Sequence, residues 1–275
     1  LGMSNLGLAL LYDIVNRRSD ALAERVFSPW TDLEALLREH EEPLRSLETK
    51  HALNEFDILG ITLQFEACYT NVLNMLDLGG IAIRTEDRAD DETIVIAGGS
   101  GALSPEPLAP FIDAFALGEG EEVIREICDA VAEWKREGGG PRHELHRRLA
   151  RVEGVYVPSL YDVTYQDDGL IAEVTPNDDA APGRVTRRVL QQLEPTLTTP
   201  IVPNMEVVHD RATVEIQRGC TQGCRFCQAG MIYRPTRERT VEEVVKAAGE
   251  LLANTGYDEL SLMSLSTTDH REISP

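Results

Sequence analysis

Glu215-Ile-Gln-Arg-Gly-Cys-Thr-Gln-Gly-Cys-Arg-Phe-Cys-Gln-Ala-Gly230 carries three cysteines, Cys220, Cys224 and Cys227, at the spacing Cys-x3-Cys-x2-Cys. The residues ahead of them, Ala212 to Gln217, alternate and are β-branched, which predicts a strand. Gly219 and Gly223 loosen the following loop, so three thiols can turn toward one point. Soft thiolates at this density favour an iron–sulfur cluster or zinc. A structural zinc takes four protein ligands, and no fourth cysteine follows Cys227. His209 is a poor substitute, because the strand carries it to the far end. A four-iron cluster on three cysteines leaves one iron open to a small molecule.

Cys-x3-Cys-x-aromatic-Cys after a strand, with Phe226 as the aromatic residue, resembles the radical S-adenosylmethionine (SAM) enzymes. The resemblance implies a 4Fe-4S cluster on Cys220, Cys224 and Cys227, whose open iron chelates the amino and carboxylate groups of SAM. One electron, from a donor such as flavodoxin or ferredoxin, then cleaves the sulfonium to a 5′-deoxyadenosyl radical. It also implies that the chain from about residue 209 begins a partial TIM barrel. Downstream, Thr240 caps a predicted helix from Val241 to Asn254, and Asp258 to Ser266 reads as the next strand. In the family the end of that strand meets SAM, usually through a glycine-rich motif. Here Ser264, Ser266 and Thr267 hold that place beside Phe226, departing from Gly-Gly-Glu. Arg234, Arg237 and Arg239 read as solvated loop charges, with steadying of the cluster's negative charge as the alternative.

Upstream, apolar β-like runs alternate with helical patterns. Strands are expected at 24–28, 56–64, 93–99 and 111–117, and helices at 5–17, 31–40, 69–78 and 120–136. This order argues an α/β fold with a Rossmann-like, mostly parallel sheet, in which ligands bind beyond the strand carboxyl ends. Those ends are rich in glycine. Gly2-Met-Ser-Asn, Thr62-Leu63, Gly98-Gly99 and Gly118-Glu-Gly resemble the N-terminal cobalamin (B12)-binding-type domain of one radical SAM subgroup. The resemblance implies cobalamin contacts at Gly2, Ser4, Asn5, Thr62, Leu63, Gly98 and Gly99. The Asp-x-His-x-x-Gly run that ligates cobalt from below is absent. With cobalamin bound, methyl transfer or a rearrangement would be the reaction.

The expected domains are 1–137, Rossmann-like; 138–208, a linker with a β-hairpin turning at Asp167-Asp-Gly169; and 209–275, the start of the radical SAM core. Both ends read as cut, because the chain opens at Leu1-Gly2 without an initiator methionine and only 48 residues follow Cys227 where a closed barrel needs about 250, so this stretch alone is expected to turn nothing over. Cys68 and Cys128 read as small buried hydrophobes in helices. A methylthiotransferase would carry a second cysteine triplet upstream, where only these two occur. A non-enzymatic zinc-binding or redox-sensing module is the remaining alternative. The net charge of −21 disfavours nucleic acid as partner. With no long apolar run and a thiol-rich site, a cytoplasmic protein without a membrane partner is expected.

Overall fold

The computed structural model describes residues 2–205 and 207–273. The chain divides into two compact units. One runs Asp20–Val189, and the other joins the residues up to Ser19 with those from Leu190 onward. The division therefore falls at neither 137 nor 208, and the opening residues group with the cysteine loop rather than with the first sheet.

Helix α1 (Leu6–Asn16) belongs to that second unit. Its N-cap is Asn5, whose side chain accepts the Leu8 N–H at 2.9 Å.

The Asp20–Val189 unit starts without the strand expected at 24–28. Leu47 N–H donates to Arg25 O there, the Glu48 carboxylate accepts Arg25 N–H, and the Glu24 carboxylate accepts Thr49 N–H. Side chains thus satisfy backbone groups that a ladder would otherwise take. Helix α2 (Thr31–Glu39) follows. Strand β1 (Ile58–Thr62), helix α3 (Tyr69–Leu78) and strand β2 (Ile94–Gly98) form a parallel crossover, with Leu59 opposite Val95. Strand β3 (Ala114–Ala116) adds parallel to β2. After α4 (Gly120–Arg136) and α5 (Arg142–Ala150), the short β4 (Val155–Tyr156) closes the sheet antiparallel to β3. The hairpin of β5 (Tyr161–Tyr165) and β6 (Ile171–Pro176) forms as expected.

Both sheet faces are covered, which is why β2 is apolar at every position. Val95 and Ala97 point into one core with Leu63, Leu76 and Phe115. Ile94 and Ile96 point into the other with Val123, Ile127 and Leu149. The residue leading into β3 is charged. The Asp113 carboxylate is fully buried and accepts from Arg88 Nη1, Arg142 Nε and Nη2, His146 Nε2 and Val95 N. Burial alone would raise its pKa. The hydrogen bonds of His146 and Arg142 and the charges of Arg142 and Arg88 outweigh that and hold it well below the usual carboxylate range. Arg142 and His146, in the basic helix α5, are thus interior residues.

In the other unit, β7 (Ala212–Glu215) and β8 (Gln217–Arg218) lead into the cysteine loop. A four-residue helix α6 (Ala229–Ile232) and β9 (Arg237–Glu238), which pairs with β8, follow. Helix α7 (Val241–Thr255) opens with a full capping box, Thr240 to Glu243, and ends at Gly256. Strand β10 (Leu260–Met263) then lies parallel to β7, with Leu262 opposite Val214. Ala212, Val214 and Ile216 meet Ala247 and Leu251 of α7 in a small core. The β-loop-α-β unit expected from the sequence is therefore present.

Candidate functional site

The cysteine loop is set by what surrounds it. Gly219 has φ +89°, and a Cβ there would lie 2.7 Å from the carbonyl oxygens of both Tyr233 and Pro235. Only glycine lets the chain pass this close and turn Cys220 inward. Cys220 is buried, Cys227 half-buried and Cys224 exposed. Backbone N–H groups already point at two of the sulfurs, Gln222 N at 3.5 Å from Cys220 Sγ and Gly230 N at 3.4 Å from Cys227 Sγ. Such donors stabilise thiolates that ligate iron. Among the described residues, no three His, Cys, Asp or Glu side chains are grouped to hold a metal ion as they stand. The donor set nevertheless fits a three-thiolate cluster: three thiols on one loop, two with amide donors in place.

The loop is tied to the turn after β10. Gln222 Nε2 donates to Asp269 Oδ2 at 2.6 Å. That bond, then one from Ser266, keeps the Asp269 carboxyl below its ordinary pKa. In the same turn Ser264 Oγ and Thr267 Oγ1 are 2.9 Å apart. Ser264, Ser266 and Thr267 thus share one turn that is bonded to the cysteine loop through Asp269. Phe226 is 92% exposed, so its ring makes no core contact.

The three arginines after the loop are braces. Arg234 Nε donates to Cys220 O at 3.4 Å, and Arg237 donates to the carbonyls of Leu190, Tyr233 and Pro235. Arg239 is buried and donates to Glu215 O and Glu194 O. The expectation of solvated charges fails at Arg239 because backbone carbonyls replace water. The buried His270 Nε2 donates in turn to Arg239 O at 3.0 Å.

The residues linked to cobalamin are divided between the two units. Thr62, Leu63, Gly98 and Gly99 meet at the carboxyl ends of β1 and β2, whereas Gly2, Ser4 and Asn5 belong to the other unit. Leu63 is fully buried. Gly99 has φ +101°, and a Cβ there would lie 2.5 Å from Leu63 O, so the space this glycine opens is taken by the chain itself. Beyond β3, Gly118 faces the backbone of Arg188, whose N–H bonds Leu117 O at 2.8 Å. Asn5 is engaged as the helix cap described above. Within the Asp20–Val189 unit, Leu63 and Gly99 are thus packed against the chain itself, and the residues of this chain hold no Asp-x-His-x-x-Gly run. Cys68, in the short turn before α3, and Cys128, in α4, are only half-buried.

Comparison with known proteins agrees with the architecture. Residues 7–158 match the family described as radical SAM proteins, N-terminal, and residues 214–274 match the radical SAM superfamily. The uncharacterized protein MJ0966 of Methanocaldococcus jannaschii is 25% identical over 231 residues, 82% of this chain and 42% of that protein. Among solved structures, the radical S-adenosylmethionine methyltransferase TsrM of Kitasatospora setae, with tryptophan substrate and a SAM analog bound, superposes with a TM-score of 0.52. The match has 14% identity and covers 96% of this chain and 45% of TsrM, which is a likeness of fold. The chain thus spans less than half the length of both relatives. No helix among the described residues is long and apolar enough to cross a membrane.

Proposed function

The chain belongs to the radical SAM proteins, and on that premise we propose that Cys220, Cys224 and Cys227 hold a 4Fe-4S cluster at which SAM is bound. The observation that carries this reading is the Gln222–Asp269 bond, which joins the cysteine loop to the turn where the family places SAM. When bound and reduced, such a cluster supplies one-electron cleavage of SAM. The chain's own residues do the positioning. Gly219 brings Cys220 inward, the amides of Gln222 and Gly230 face two sulfurs, and Arg234 braces the loop at Cys220 O. Ser264, Ser266 and Thr267 present hydroxyls and backbone carbonyls beside it, suited to an ammonium or ribose group. Phe226 offers an exposed apolar face. The electron comes from a donor such as flavodoxin or ferredoxin, in the cytoplasm.

Cobalamin has no part in this proposal, because Leu63 O and the Arg188 backbone already stand against Gly99 and Gly118. Corrinoid extracted at one per chain from the purified protein would overturn that part. The cluster reading is tested by anaerobic iron and sulfide analysis with electron paramagnetic resonance. About four irons and four sulfides per chain, and a spectrum altered by SAM, are expected. Zinc without sulfide would sink it.

A further inference from the structure

Gln217 stands on β8, three residues before Cys220, and is 3% exposed. Among the described residues nothing donates a hydrogen to its Oε1. A buried amide oxygen left unpaired costs stability, and an apolar side chain of the same length would avoid that cost.

The strand sets where this side chain points. Ala212, Val214 and Ile216 point into the core against α7. The backbone stays paired through Ile216, whose N–H donates to Met263 O and whose oxygen accepts the Arg239 N–H. Successive side chains alternate, so Gln217 points to the other face, together with Glu215. Met263 of β10 lies opposite Glu215 and is 37% exposed, so that face stays open beside the buried amide. In an α/β barrel the face away from the helices is the inner one, and ligands meet the carboxyl ends of its strands. Gln217 sits at such an end. Both oxygens of Glu215 already accept from Arg218.

We propose that Gln217 is a SAM-binding residue whose Oε1 accepts a hydrogen from the amino group of SAM. This rests on the cluster reading above, in which the amino-acid end of SAM is the end held at the iron. Cys220, buried and three residues on, sets that end at the mouth of the same strand. Of the two groups there, a carboxylate has no hydrogen to give and an amino group has. The unpaired acceptor therefore selects the amino group. Being uncharged, the amide adds nothing to the negative charge of the thiolates. The competing occupant is a buried water, which needs about three hydrogen-bond partners.

The whole chain, reconstituted anaerobically with iron and sulfide, is compared as wild type, Gln217→Met and Gln217→Glu. Iron and sulfide contents should be equal in all three, because Gln217 ligates no iron. The SAM concentration that gives half of the change in the electron paramagnetic resonance spectrum should rise about tenfold or more in Gln217→Met. Gln217→Glu keeps an acceptor and should lie between Gln217→Met and wild type. Thermal melts of the metal-free chains read the structural role separately: Gln217→Met should melt no lower than wild type, since the unpaired oxygen is gone. An unchanged half-point in loaded Gln217→Met overturns the proposal in favour of the water and leaves the cluster reading standing. A lower melt of metal-free Gln217→Met also overturns it, by showing that the protein itself holds the amide. So does a Gln217→Glu as weak as Gln217→Met. A wild type that takes up no iron removes the cluster reading and this proposal together.

Discussion

Asp113 concentrates the strongest electrostatics of the Asp20–Val189 unit on one side chain. Asp113→Asn keeps the shape and removes the charge, leaving Arg88 and Arg142 buried without their anion. The expected cost is about 3–5 kcal/mol, read as a lower urea midpoint. The pH dependence follows from its lowered folded-state pKa. Protons bind the unfolded carboxyl first, near pH 3.9. Its contribution is therefore fully present above about pH 4, and it drains away as pH falls through the depressed folded value. An acid titration of stability should show the wild type losing its advantage over Asp113→Asn below about pH 4. At the cysteine loop, Gln222→Ala should leave the fold intact while changing the cluster's electron paramagnetic resonance response to SAM. Gln222→Glu, which sets a carboxylate against Asp269, should do more damage than Ala. Equal responses in wild type and both variants would show that the bond plays no positioning role. Neither residue could be paired from the sequence, since they are 47 positions apart with no shared pattern.

Among elements, the helices were the most legible. α3 and α4 run Tyr69–Leu78 and Gly120–Arg136, the bounds their periodicity predicts. α7 begins where Thr240 and Glu243 place it. Thr240→Ala should cost about 1 kcal/mol, seen as earlier melting of the unit that holds the cysteine loop, with the Asp20–Val189 transition unmoved. Strands were legible where burial on both faces made them continuously apolar, as at Ile94–Gly98. They misled at 24–28, where Val26 and Phe27 look strand-like but the Glu48 carboxylate takes the Arg25 N–H and the Glu24 carboxylate takes the Thr49 N–H facing it. Alternation reports apolar content and spacing, not which group takes each N–H. The glycine-rich strand ends gave the same kind of ambiguity. A glycine needed for close approach reads identically whether a ligand or, as with Leu63 O at Gly99, the chain itself approaches. Gly99→Ala should therefore destabilise by about 1–3 kcal/mol, measurable by urea unfolding without any ligand present.

For the molecule as a whole, the cysteine spacing identified the family, and the alternation of strands and helices identified the α/β class. The division into units stayed hidden, because it depends on contacts between residues far apart in the chain. The Asp20–Val189 unit contains both large cores, so it should fold by itself with one cooperative urea transition. Two resolved transitions would contradict this. It is also an insertion: the chain starts one unit, completes another, and then returns to the first. During synthesis this sets a timetable. The residues up to Ser19 leave the ribosome ahead of those from Leu190 onward and must wait while the inserted unit is made. That unit is translated before Leu190, so the cysteine loop is assembled after it. A nascent chain stalled near residue 189 would hold helix α1 but none of Cys220, Cys224 and Cys227.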